Sequence, residues 1–381
     1  MTVSSTARFL LAVVIACAPG GLLLGPASAA GPKGEAKPPR AASTDPSVLY
    51  RKGIQWRPGP GVPEMPDEVS ALSWLVADAR TGDVLAAKNA HRKLPPASTL
   101  KTLFAVTALP HLPGPVRHKV SEADLAGVGE GSSRVGVRPG YTYRAADLWR
   151  GVFLSSGNDA VHVLARMNGG WRHTAAQMQA KARALGARDT RVVSPDGYDA
   201  PGQVSSAYDL ALFGRVGLNH PEFARYAAMA TAKFPLGGWA FDIYSTNRLL
   251  TGADGVAAYP GLIGIKNGYT SNAGHTLIAA AERGGRTLVV TVMNPQEGGG
   301  FAVYEEARAL LDWGFGAASR IRPVGSLNQA VPRPGPGVRA AAKAESAGST
   351  WPALGAGAGL VVLGVVVRAV RQRNRHGAGV S

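Results

Sequence analysis

Residues 287–293 of this 381-residue chain read Thr-Leu-Val-Val-Thr-Val-Met, after the Gly284-Gly285 turn. A run this apolar and this rich in β-branched residues reads as a buried strand, which needs neighbours on its edges and cover on its faces. Residues 263–266 and 276–281 supply two neighbours. The remaining strand patterns, residues 71–77 and 84–88, lie at the opposite end of the body, joined by the turn-rich segment Asp78-Ala79-Arg80-Thr81-Gly82-Asp83. Between these ends the apolar spacing is mostly helical, over residues 143–149, 160–167, 177–185 and 206–216, and residues 302–313 close with a further helix. Strands at both ends of a helical middle predict one sheet built from distant parts of the chain, an α/β body with a helical insertion.

The two ends read differently. Arg8, the apolar run 9–18, residues 22–24 and the small-residue site Ala27-Ser28-Ala29 predict a secretory signal peptide over residues 1–29. Val14-Ile15-Ala16-Cys17 offers a competing lipoprotein-type cleavage site. Cys17 is the sole cysteine, so the exported chain is expected to hold no disulfide and no thiolate metal site. Residues 30–66, rich in Pro, Ala, Lys and Arg, predict an extended linker. After a body ending near residue 321, a Pro, Gly and Ala-rich tether is expected over residues 322–350. Residues 351–368 then predict a membrane span, with Trp351 at one interface and Arg368 at the other. Gly355, Gly357, Gly359 and Gly364 weaken its helicity, and the alternative is a poor helix that does not span. Arg371, Arg373 and Arg375 mark residues 369–381 as a cytoplasmic tail. The net charge of +16 favours anionic surroundings. Export makes wall polymers or a membrane face the partners to expect, and leaves nucleic acid without support.

Chemistry is concentrated in three places. Pro95-Pro96-Ala97-Ser98-Thr99-Leu100-Lys101 leads into the apolar segment 103–109. A helix starting near Ser98 puts its hydroxyl and the Lys101 amine at i and i+3 on one face, a nucleophile beside a possible base. Ser156-Gly157-Asn158 sets a hydroxyl and an amide in a loop between two helices, and Lys266-Asn267-Gly268 sets a cation on a late strand where Gly268 admits close approach of a ligand. Taken singly each is ordinary; their order and context together are not.

That order resembles the penicillin-recognising serine enzymes, whose motif set is S-x-x-K, S-D-N and K-T-G. Within them the chain is most similar to the low-molecular-mass D-alanyl-D-alanine carboxypeptidases, the S11 peptidase family. The resemblance runs from about Ser70 to Trp313, through residues 78–85, 96–101, 156–160 and 264–270. It implies a β-lactamase/transpeptidase-like α/β fold, a mainly antiparallel sheet flanked by helices with a helical subdomain, and makes residues 67–321 a serine carboxypeptidase domain. It also implies that Ser98 forms an acyl-enzyme, Lys101 accepts its proton, Ser156 relays the proton to the departing D-alanine, and Asn158 holds Lys101 and the substrate. By the same resemblance Lys266, Asn267, Gly268 and Tyr269 bind substrate, the N–H groups of Ser98 and Tyr269 form an oxyanion hole, and no metal or organic cofactor is needed. The implied partners are peptidoglycan stem peptides ending in D-Ala-D-Ala, β-lactam antibiotics, and the membrane through the C-terminal span. Asn267 departs from the family, which carries a threonine or serine there. Ser156-Gly157-Asn158 favours a carboxypeptidase over the runner-up, a β-lactamase; a catalytically weak wall-binding homologue is the reading from another class.

Overall fold

The computed structural model describes residues 45–328. Its strands are β1 (Ile54–Gln55), β2 (Ser73–Asp78), β3 (Asp83–Lys88), β4 (Arg117–Lys119), β5 (Thr142–Arg144), β6 (Thr231–Leu236), β7 (Trp239–Tyr244), β8 (Leu262–Thr270), β9 (Gly274–Arg283), β10 (Arg286–Met293) and β11 (Gly325–Ser326). The helices are α1 (Lys101–Ala108), α2 (Glu122–Leu125), α3 (Ala145–Leu154), α4 (Asn158–Met167), α5 (Trp171–Leu185), α6 (Ala207–Leu218), α7 (Pro221–Ala227), α8 (Arg248–Thr251) and α9 (Ala302–Ala317). The expected sheet from both ends of the chain forms, in the order β1-β3-β2-β10-β9-β8, with β11 also on β3. Every pairing in it is antiparallel.

The buried run 287–293 sits at the centre, and its alternation explains the layers. Val289 and Met293 join a core with Leu103 and Phe104 of α1 and Leu210 and Phe213 of α6. Leu288, Val290 and Val292 point the other way, into a core with Val303, Leu310 and Leu311 of α9. Successive strand residues face opposite sides, so one all-apolar strand requires helices on both. The result is a three-layer body. The insertion between β3 and β8 is largely helical and adds the β4-β5 pair and the β6-β7 hairpin. Phe234 of that hairpin packs on Tyr143, ring centroids 5.6 Å apart.

Three local readings shift. The helix expected at Ser98 begins as a 3₁₀ turn, Ala97–Leu100, before α1 takes over at Lys101. Three residues per turn stack i directly over i+3, so the tighter turn aligns Ser98 and Lys101 better than an α-helix does. The pattern at 143–149 divides between the end of β5 and the start of α3. The packed body also reaches past both expected ends, residues 67 and 321. Leu49 of the 3₁₀ turn Pro46–Tyr50 is 1% exposed, Val324 is 1% exposed and Leu327 3%, while β1 and β11 pair with β3. Two-residue strands carry no readable period, which is why sequence placed them in a linker and a tether. The leader, Cys17, the span 351–368 and the tail lie outside the described residues. Among the described residues, no helix is long and apolar enough to cross a membrane.

Candidate active site

The 3₁₀ turn that carries Ser98 is pressed between two glycine-bearing segments. Gly268 of β8 lies so close that a Cβ there would come within 2.6 Å of the Ser98 backbone nitrogen. Gly197 has φ +78°, and a Cβ on it would meet the Ala97 carbonyl oxygen at 2.1 Å. Both must be glycine for the turn to sit where it does. Ala97 itself has φ +49°. A non-glycine residue in that region costs about 1–3 kcal/mol, which the surrounding packing must offset. Thr276 of β9 adds a hydrogen bond from its Oγ1 to the Pro96 carbonyl at 3.0 Å.

Lys101 rises from the floor of this turn. Its Nζ is 2.7 Å from Ser98 Oγ and donates to the Asp196 carbonyl at 2.7 Å. The residue is 1% exposed. Burial pulls its pKa down from 10.5 to about 8, and the more distant charges of Asp196 and Asp159 raise it only in part. A lysine held near pH 8 is uncharged about a tenth of the time at pH 7, enough to serve as a base.

Ser156 and Asn158 face the same space from the α3–α4 loop. Ser156 has φ +56°, and Asn158 opens α4 with its N–H on the Ser133 carbonyl at 2.7 Å. Asp159 fixes the loop opposite, its carboxylate accepting the N–H groups of Val135, Gly136 and Val137 at 2.8 to 3.0 Å. Ser156 Oγ and Asn158 Oδ1 are buried and have no hydrogen-bond partner among the described residues. An unmet buried polar group costs about 1–3 kcal/mol, a cost that suits atoms kept for a substrate.

Ser98, Ser156, Asn158, Asn267, Gly268 and Tyr269 all line one cleft of about 430 Å³. Lys101 meets it through Ser98. Lys266 is behind the wall: it is 2% exposed, and its Nζ donates to the Asn267 carbonyl at 2.8 Å. Burial, aided by repulsion from Lys101, drives its pKa well below the usual lysine range. Asn267 Oδ1 accepts from Thr246 Oγ1 at 2.9 Å, which leaves the amide NH₂ as the end of that side chain able to donate into the cleft.

Several lining residues were not singled out from sequence. Arg248 is the arginine on the cleft wall, bonded to Asp254 at 2.8 Å with its guanidinium 5.0 Å over the Phe301 ring. Tyr198 OH reaches the Glu130 carbonyl at 3.0 Å, and Asp199 accepts from Thr270 Oγ1 at 2.7 Å. Ser194-Pro195-Asp196-Gly197 is legible as a turn, but nothing local says that it passes under a nucleophile. Among the described residues, no group of three His, Cys, Asp or Glu side chains is arranged to hold a metal ion.

A hydroxyl on a buried, partly neutral lysine, with a second hydroxyl and an amide waiting beside it, defines an active-serine acyl-transfer site. The model of the D-alanyl-D-alanine carboxypeptidase family, S11 peptidases, matches residues 61–297, and the chain belongs to that family. It is 41% identical over 260 residues to D-alanyl-D-alanine carboxypeptidase DacB2 of Mycobacterium tuberculosis, covering 68% of this chain and 86% of that protein. It is 33% identical to DacD of Escherichia coli, spanning 65% of this chain and 64% of that protein. A crystal structure of a D-alanyl-D-alanine carboxypeptidase from M. tuberculosis superposes with a TM-score of 0.63 at 39% identity, over 70% of this chain and 98% of the other. The Streptomyces K15 DD-transpeptidase, TM-score 0.61 at 24% identity over 66% of this chain and 99% of its own, shares the fold.

Proposed function

We propose that Ser98 is the nucleophile of this chain, a serine-type D-Ala-D-Ala carboxypeptidase, and that Lys101 is its base. The observation that carries the assignment is the 2.7 Å contact between Lys101 Nζ and Ser98 Oγ at a lysine whose pKa is held about 8. In the uncharged state the amine accepts the hydroxyl proton while Ser98 Oγ bonds to the carbonyl carbon of the penultimate D-alanine. As the tetrahedral intermediate collapses, the C–N bond breaks and Ser156 passes the proton to the leaving D-alanine amine. Water then attacks the ester carbonyl, Lys101 takes its proton, and the acyl C–Oγ bond breaks as Lys101 returns that proton to Ser98 Oγ, freeing the shortened peptide. The backbone N–H groups of Ser98 and Tyr269 hold the oxyanion, a role worth about 3–4 kcal/mol per donor.

β8 is the edge strand of its sheet, so an extended peptide can lie along its free side and meet Asn267, Gly268 and Tyr269 in turn. Asn158 was expected to hold Lys101, but Lys101 Nζ is taken up by Ser98 Oγ and the Asp196 carbonyl, which leaves the Asn158 amide oxygen for the peptide backbone. Arg248, with the Asn267 amide, receives the terminal carboxylate on the surface of the cleft, and Lys266 braces Asn267 from behind through the bond to its carbonyl. The substrates are peptidoglycan peptides ending in D-Ala-D-Ala, and β-lactams acylate the same serine. Residues 67–321 carry the catalytic machinery within the longer packed body. The sequence patterns at 1–29 and 351–368 support export and a C-terminal anchor, with the cleft on the outer face.

Incubation with a diacyl-Lys-D-Ala-D-Ala tripeptide should release D-alanine, and labelled penicillin should leave a stable adduct absent from Ser98→Ala. Rapid turnover of the penicillin would favour the β-lactamase reading. An adduct with no D-alanine release would favour a weak wall-binding homologue.

A further inference from the structure

The edge of the sheet farthest from the cleft carries a second hollow. It measures about 530 Å³ and lies between the 3₁₀ turn Pro46–Tyr50 and the chain that follows β3. Tyr50, Arg51, Lys52, Asn89, His91 and Arg92 line it. His91 is clasped between two tyrosines: the Tyr50 ring stacks on it at 3.9 Å and 6°, and the Tyr208 ring tilts against it at 4.6 Å. Its Nδ1 is fixed on Asp189 at 2.8 Å, while Nε2, also buried, has no partner among the described residues. Tyr50 is thus a rigid aromatic plate, 58% exposed, at the mouth of the hollow.

The charged side chains that line the hollow beside His91, those of Arg51, Lys52 and Arg92, are all cationic. Arg51, Lys52 and Arg92 are exposed, and none forms an ion pair among the described residues. The nearby carboxylates are committed elsewhere. Asp45 accepts both the N–H and the hydroxyl of Ser47, and Asp189 holds His91 and Ser206. The preceding stretch of chain cannot neutralise the site, since residues 31–44 carry Lys33, Lys37 and Arg40 against one acid, Glu35. An aromatic face suits the C–H face of a sugar ring, and three unpaired cations around it suit phosphate or carboxylate groups on that sugar.

We propose that this hollow binds the charged sugar units of an anionic polysaccharide, with a ring against Tyr50 and its acidic group on Arg51, Lys52 and Arg92. The site holds the enzyme to the wall by the edge opposite its cleft. It therefore adds a wall contact that does not depend on the residue roles assigned in the cleft.

The test is fluorescence anisotropy of labelled phosphorylated dextran with the full-length chain. The comparators are neutral dextran, inorganic polyphosphate and phosphatidylglycerol vesicles. The expected order is phosphorylated dextran first, with the Arg51→Ala/Lys52→Ala/Arg92→Ala variant binding it roughly tenfold more weakly or worse. Tyr50→Ala should weaken phosphorylated dextran and leave polyphosphate unchanged, and Tyr50→Phe should restore it. Removing three exposed cations of α5, Arg172, Lys181 and Arg183, should change binding by no more than about twofold. Release of D-alanine from the soluble tripeptide should persist in every variant, which keeps this outcome separate from any failure of the catalytic assignment. Equal losses from the two triple variants, polyphosphate bound as tightly with Tyr50→Ala silent, or preference for vesicles would each overturn the proposal.

Discussion

The two edges of the main sheet are treated in opposite ways. The outer edge of β3 is closed twice, by β1 through Ile54 opposite Lys88 and by β11 through Gly325 opposite Val84. Among the described residues the outer edge of β8 has no strand beside it, and Asn267, Gly268, Tyr269 and Thr270 of this strand form a wall of the cleft. An exposed strand edge invites association with any extended chain. Here the edge without a catalytic task is covered by short segments from both ends of the body, and the edge left open stands next to Ser98. Two sets of buried polar groups show the two uses that burial can have. On the structural side, Glu306 is 5% exposed and its carboxylate is fully engaged by Ser70 and Ala71. In the cleft, Ser156 Oγ and Asn158 Oδ1 are unmet and two lysines are held below their ordinary pKa.

This contrast can be broken by substitutions on each edge. The largest effect is expected from Gly268→Ala, whose Cβ would sit 2.6 Å from the Ser98 nitrogen. Displacing the nucleophile by even part of an ångström should cut kcat by about 100-fold. A thermal melt within a few degrees of wild type would show that the fold survives. Arg248→Gln should lower kcat/KM for the tripeptide by roughly 10- to 100-fold, mainly through KM, as loss of a charged hydrogen bond implies. An unchanged KM would move the carboxylate onto another group.

On the closed edge the expectation reverses. A Cβ on Gly325 would meet Leu49 Cδ1 at 2.3 Å, so Gly325→Ala should cost about 1–3 kcal/mol in a denaturant titration and leave kcat and KM alone. A kinetic defect there would show that the two edges are coupled. The smallest effect is expected from Asn267→Thr. The hydroxyl that results still donates, so kcat/KM should move by about threefold or less. A larger gain would mean that the amide weakens carboxylate binding.

Much of this was legible in sequence because it rests on short-range patterns. Thr287 to Met293 announces a buried strand, and Ser98 with Lys101 needs only one helical turn to meet. What escaped depends on tertiary placement. Arg248 enters the cleft because α8 follows the β6–β7 hairpin, and Asp196 reaches Lys101 through a backbone carbonyl that no side-chain motif records. The hairpin had a usable signal, Gly237-Gly238 between Phe234 and Trp239, although Pro235 interrupts it. The edge strands β1 and β11 had none, because two residues show no alternation. The lysine pKa values also lie beyond sequence, since burial sets them.

The central claim is that an uncharged Lys101 takes the proton from Ser98, and the pH dependence of acylation by labelled penicillin tests it most directly. Between pH 6 and 10 the second-order rate should rise tenfold per pH unit at first and level off through a pKa of about 8, the limb that deprotonation of Lys101 produces. A rate that is flat across this range, or one that levels off at pH 6.5 as a histidine base would make it, contradicts the account.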